Sequence, residues 1–293
     1  MYDIIIIGAG PAGLAAAIYA SRAMKKTLVL EKNTYGGQII NSSLVENYPA
    51  IAKTTGYEFA TALFNQVKSL GVEVKYEEVV EIIDKNTIKT NKDIYRTKAI
   101  IIANGLKQRK LGLYGENDFI GNGISYCATC DGAFFKEKIV AVVGSGATAV
   151  EDALYLSNIV KKVYIINRKD EFKCPASMVN NLKSKDNVEI IYNNSVIKLN
   201  GEKVLESIEL SDNQILEISG LFVAIGYIPD NKIYENIVDL DKFGFIESDN
   251  TLTKSENVFV AGDTRVKNFR QLITATSDGA TASFNAINYL NNN

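Results

Sequence analysis

Two stretches of this chain share one design. Residues 4–33, IIIIGAGPAGLAAAIYASRAMKKTLVLEKN, and residues 140–169, VAVVGSGATAVEDALYLSNIVKKVYIINRK, stand at a constant offset of 136. Each reads as an apolar strand, a glycine turn, an Ala-rich helix, Lys-Lys and a second apolar strand. That is a βαβ unit of about 30 residues, the arrangement that cradles a dinucleotide. Its glycines allow a tight turn and close approach of a pyrophosphate, which rests on the helix N-terminus. Two copies predict an α/β chain with two Rossmann-like, three-layer ββα dinucleotide-binding domains.

The copies differ where a nucleotide would be chosen. In the first, Gly8, Gly10 and Gly13 are followed by Glu31, an acid placed to accept hydrogen bonds from an adenosine ribose. In the second, Gly144, Gly146 and Ala149 lead to Asn167 at the equivalent position, then Arg168, Lys169 and Lys173. Losing the acid and gaining cations suits a 2′-phosphate, hence NADP(H) over NAD(H). The competing reading of the three cations is a solvated turn.

The rest of the chain arranges itself around these units. Residues 57–70 have helical spacing and stop at Gly71. Asn200-Gly201 between apolar runs predicts a β-hairpin. Residues 220–230 and 258–263 read as strands running into loops, and 280–290 as a closing amphipathic helix. With the second unit starting near 139, one domain is inserted into the other, with crossings near 112 and 238. This gives 1–112 with 239–293 as one domain and 113–238 as the insert.

Composition narrows the partners. Of 293 residues, 46% are hydrophobic and 23% charged, with a formal net charge of −2, so nothing favours nucleic acid or a membrane surface. No run approaches the ~18–20 apolar residues of a membrane span. Strand-like sequence from Asp3 leaves no room for a signal peptide, so a cytoplasmic protein is expected. The sequons at 41–43 and 193–195 are then chance matches.

SYCATCDGAFF, residues 125–135, holds Cys127 and Cys130, two of three cysteines in a chain without histidine. A zinc site needs about four ligands and lacks them here, so no metal is expected. A structural disulfide over so short a loop restrains little, and a cytoplasmic setting disfavours it. A redox dithiol remains. Asp131 follows directly and either exchanges protons with a thiolate or serves as a cap. Cys174 stands alone and receives no role.

These stretches, with YGGQI, VENYP, FVAIGYIPD and VFVAGDTRVKNFRQLITATSDGA, make nearly the whole chain resemble low-molecular-weight, bacterial-type thioredoxin reductases. The resemblance implies FAD in the first domain. Gly8, Gly10 and Gly13 would hold its pyrophosphate and Glu31 its adenosine ribose. Gln38 and Asn47 would approach the flavin, Asp263 the ribityl or phosphate portion, and Arg270 and Gln271 the isoalloxazine edge. It also implies that Cys130 lies against the flavin, that Cys127 attacks a thioredoxin-like disulfide, and that Asp131 is the proton donor and acceptor. A homodimer is implied, as is rotation of the inserted domain about hinges near 112–115 and 226–238.

The chain departs from the family's pattern in its basic run, in a glycine turn that reads GSGATA where the family commonly has Gly-Gly-Asp-Ser-Ala, and in an inserted domain short for the family. NADPH-dependent members carry His-Arg-Arg, three residues, then Arg; here the run is Asn167, Arg168, Lys169 and Lys173. Lysine keeps the charge but loses the planar fork that grips phosphate bidentately. Two donors stay open: NADPH, or a ferredoxin, as in clostridial thioredoxin reductases without a working nicotinamide site. A flavin-dithiol reductase serving a peroxidase partner, or a redox sensor, is a further alternative.

Overall fold

The computed structural model describes residues 1–42 and 44–293; the expected chance sequon at 41–43 ends on Ser43, outside the described residues. The chain divides into two compact units, Met1–Lys107 with Ile228–Asn293, and Gln108–Tyr227. The crossings lie inside two short strands, β7 (Leu106–Gln108) and β16 (Tyr227–Pro229), rather than near 112 and 238. The cause is burial. Tyr234, Ile237 and Val238 join a core of the first unit, while Leu111 and Leu113 pack against a core of the second.

The first unit is built on a sheet in which β3 (Glu73–Tyr76), β2 (Thr27–Glu31), β1 (Tyr2–Ile7) and β6 (Ile94–Ile102) lie side by side in parallel. Ile4 to Ile7 are all buried, as an unbroken apolar run in a sheet covered on both faces must be. The outer edge of β6 is shared. Its first half pairs antiparallel with β5 (Thr87–Thr90), which continues to β4 (Val79–Asp84), and its last residues pair parallel with β17 (Val258–Val260).

On one face, α1 (Pro11–Arg22), α2 (Gly56–Ser69) and α7 (Leu272–Asn292) form the helical layer. Proline at the first turn of α1 and a run of buried alanines let α7 lie close along it. Helix α2 starts on a Thr55–Glu58 capping box and stops before Gly71, at φ 74°. Helix α7 begins at Leu272, well before the expected 280. Gly279, which reads as a helix breaker, is instead a contact point: a Cβ there would meet Ala12 O at 2.0 Å.

The second unit repeats the plan. Its sheet runs β11 (Val188–Ile191), β10 (Lys162–Ile166), β9 (Ile139–Val143), β15 (Gly220–Val223) and β8 (Ile124–Ser125), parallel throughout. Helices α5 (Ala147–Ser157) and α6 (Ala176–Lys183) cover one face. The other is covered by the antiparallel ladder β12 (Val196–Asn200), β13 (Ser207–Leu210) and β14 (Ile215–Glu217). Short α3 (Glu116–Phe119) and α4 (Ala128–Asp131) complete it. The Asn200-Gly201 hairpin forms between β12 and β13, but its loop runs on to Glu206 because Leu205 turns inward and is buried. Among the described residues no helix is long and apolar enough to cross a membrane.

Candidate active site

The glycine turn of the first unit is fixed by backbone crowding. Gly8 sits at φ 107°, and a Cβ on Gly13 would fall 1.9 Å from Gly8 O, so the helix packs onto the turn only without side chains there. Gly10 faces open space, with nothing nearer to a Cβ than Gly37 Cα at 3.8 Å. Helix α1 starts at Gly10 without a side-chain cap, leaving its first N–H groups for an anion. Glu31 Oε2 accepts from Ala9 N–H at 2.8 Å and Oε1 from Asn33 N–H at 2.9 Å. Each oxygen keeps a lone pair for a ribose hydroxyl.

Two pairs of the expected flavin residues meet in this unit. Asn47 Nδ2 donates to Gln271 Oε1 at 3.1 Å, and Arg270 Nε donates to Asp263 O at 3.2 Å while its guanidinium lies over the Phe245 ring. Gln38 Nε2 donates to Leu106 O at 3.2 Å. Asp263 Oδ1 is buried and accepts no hydrogen bond; its company is Lys267 Nζ at 3.3 Å, so an acceptor is left for a ligand hydroxyl. Asp278, absent from the sequence reading, holds this corner. It accepts from Gly262 N–H, from Arg265 at 2.8 Å and from Lys267 at 3.1 Å. Burial alone would raise its carboxyl, but Arg265 and Lys267 outweigh that and hold it below the usual carboxylate range. A cradle kept open by glycine and an unused buried acceptor fit a dinucleotide such as FAD.

In the second unit Cys127 and Cys130 form a disulfide with Cα atoms 5.3 Å apart. Cys127 is the N-cap of α4, and its Sγ accepts from Cys130 N–H at 3.2 Å with Thr129 Oγ1 at 3.4 Å. Asp131 is tied to them through Ser125. The buried Ser125 hydroxyl lies 2.7 Å from Asp131 Oδ2, to which it donates, and accepts Cys127 N–H at 3.0 Å. Cys174 is partly buried, and burial followed by the Glu151 charge pushes its thiol up, the opposite of a reactive cysteine.

A cavity of about 380 Å³ opens at the C-terminal ends of β9, β10 and β15, the place where doubly wound sheets take ligands. Gly144, Gly146, Arg168 and Lys173 line it; Ala149 and Lys169 do not. Ala149 is buried and spaces α5 from the turn, its Cβ 2.7 Å from where one on Gly144 would stand. Lys169 is exposed, its backbone N–H donating to Asn167 Oδ1 at 3.0 Å. Asn167 itself is fully buried, its Nδ2 donating to Glu171 O at 2.8 Å, so it shapes the turn and does not point at a ligand. Lys173 N–H donates to Ser145 O, which docks the basic run beside the glycine turn. Arg109, Gln108, Tyr227 and Asp152 also line the cavity, and sequence reading missed them. Asp152 was within reach, being four residues after the lining Thr148 on one helix face. Arg109 and Tyr227 carry no local pattern.

Residues 2–279 match the family model described as pyridine nucleotide-disulphide oxidoreductase. The chain belongs to this family. Among pyridine nucleotide-disulphide oxidoreductases it is 39% identical to a thioredoxin reductase of Listeria innocua, over 99% of this chain and 94% of that one. A solved thioredoxin reductase of Lactococcus lactis superposes with a TM-score of 0.91 at 34% identity, covering 100% of both chains. A ferredoxin-flavin thioredoxin reductase of Clostridium acetobutylicum gives a TM-score of 0.54 at 30% identity, over 100% of this chain and 99% of that one. The chain is thus a flavoprotein disulfide oxidoreductase that uses FAD, and the Cys127–Cys130 pair is its redox disulfide.

Proposed function

We propose that this reductase takes electrons from NADPH and returns a thioredoxin disulfide to its dithiol, working as a homodimer in the cytoplasm. The observation that carries the choice of donor is the cavity of the second unit, lined by a glycine turn together with Arg168 and Lys173. Those two cations beside a glycine turn suit the phosphates of NADPH. Gly8, Gly10, Gly13 and Glu31 hold the adenosine diphosphate half of FAD, and Gln38, Asn47, Asp263, Arg270 and Gln271 hold the flavin half. FAD bound there would supply the two-electron chemistry that links a hydride donor to the Cys127–Cys130 disulfide.

The chain's own residues do the exchange. Cys127 attacks as a thiolate, favoured by the Cys130 N–H that its Sγ accepts at 3.2 Å. One sulfur of the partner's disulfide bonds to Cys127, and the other leaves as a thiolate and takes a proton. Cys130 then attacks Cys127 Sγ, which restores the internal disulfide and releases the partner's second thiol. Asp131, oriented by Ser125, supplies and recovers the protons. Exchanging Cys130 for Ser removes the resolving thiol, so this variant should accumulate a covalent adduct with thioredoxin that reductant dissolves.

The deciding experiment follows flavin absorbance without oxygen while NADPH, NADH and reduced ferredoxin are added in turn. Rapid bleaching by NADPH is expected. Bleaching by ferredoxin alone would transfer the donor role and leave the cavity a scaffold.

A further inference from the structure

The cavity of the second unit has two chemically different ends. Strand β10 lies on one side of β9 and β15 on the other. Arg168 and Lys173 follow β10, whereas Tyr227 follows β15 and shares the cavity with Gln108 and Asp152. In a doubly wound sheet a dinucleotide straddles the first strand with its adenosine over the second. The phosphate-seeking cations therefore take the adenosine half. The other half of the ligand, the nicotinamide, meets Asp152, Tyr227 and Gln108.

Asp152 is the unsettled group there. Among the described residues nothing donates a hydrogen bond to its carboxyl and no cation pairs with it, although Arg109, Arg168 and Lys173 line the same cavity. Tyr227 is its near neighbour; burial first, then the Asp152 charge, push that phenol up. Burial, and secondarily Glu151, push the Asp152 carboxyl itself up to about 7. Asp152 is half-buried on the cavity wall, so a ligand that displaces the water there must bring the donor its carboxyl lacks.

We propose that Asp152 accepts the carboxamide N–H of the nicotinamide ring and so selects this ring over one lacking that donor. The assignment rests on the nucleotide reading above. It makes Asp152 a specificity-determining residue of the cavity, distinct from the basic run that holds the phosphate.

The test is calorimetric titration of the FAD-loaded oxidised protein with NADP+ and with its 3-acetylpyridine analogue, in which a methyl group replaces the amide nitrogen. At pH 8, where the Asp152 carboxyl is ionised, the wild type should bind NADP+ about tenfold more tightly, the value of one hydrogen bond to a charged group. Asp152→Leu should bind both equally, and Asp152→Asn should keep part of the preference through its Oδ1. Arg168→Ala should weaken both ligands while keeping the preference. If Asp152→Leu still prefers NADP+, the assignment is wrong while the cavity remains a nucleotide site. If the wild type binds neither compound, the nucleotide reading fails and takes this assignment with it.

Discussion

At the scale of single residues, what matters most is how a conformation or a buried charge is tolerated. Ala50 holds φ 69°, a left-handed backbone that costs a Cβ-bearing residue roughly 1–2 kcal/mol. Ala50→Gly should therefore raise the denaturant midpoint, less whatever glycine adds to the unfolded chain's freedom. Asp152 gives a pH signature. Its folded carboxyl keeps a proton up to about 7 while the unfolded one releases it near 3.8, so stability falls as pH rises through that window. On chemical unfolding, Asp152→Asn should leave stability unchanged at pH 4 and raise it at pH 8, by at most ~4 kcal/mol and less where cavity water reaches the group. Among the cations, Arg168→Ala should raise the KM for NADPH about tenfold or more, and Lys169→Ala should hardly move it, because only Arg168 lines the cavity. The sequence could not separate those two neighbours. Both follow β10, and it is the turn shaped by buried Asn167 that decides which one faces inward.

At the scale of elements, legibility followed locality. Both βαβ units, the glycine turns and α2 could be read directly, because each is specified by spacing within a few tens of residues. Helix α7 was read too short, since Thr, Ser and Gly at 274–279 have poor helical propensity and only the close seat on α1 makes glycine the right choice. Gly279→Ala tests that reading. Intrinsic propensity would favour alanine by ~1 kcal/mol, but its Cβ would collide with the Ala12 carbonyl. A net loss of roughly 1–3 kcal/mol is expected on chemical unfolding. The α4 disulfide behaves differently. It closes a loop of sequence separation 3, far from the ~3 kcal/mol of a ~15-residue loop, so reducing it should shift melting little. A bond that adds little to folding can be opened and closed at every turnover without risk to the fold.

At the scale of the whole molecule, the first unit is made from both ends of the chain and the second from one continuous run. This was legible as an insertion, but not to the residue, because the crossings are set by where Tyr234 and Leu111 find a core. FAD held at a thousandfold excess over its Kd adds ~4 kcal/mol, so stripping the flavin should lower the melting of the first unit. Asp263 and Asp278, the acids proposed to complete its cradle, follow the inserted unit in sequence, as does β17, which pairs with the edge of β6. During synthesis the inserted unit can therefore close while the earlier strands still wait, with α1 and that sheet edge uncovered. Residues 258–278 follow the whole inserted unit in sequence, so a chain cut before them should still fold its dithiol unit yet fail to retain FAD.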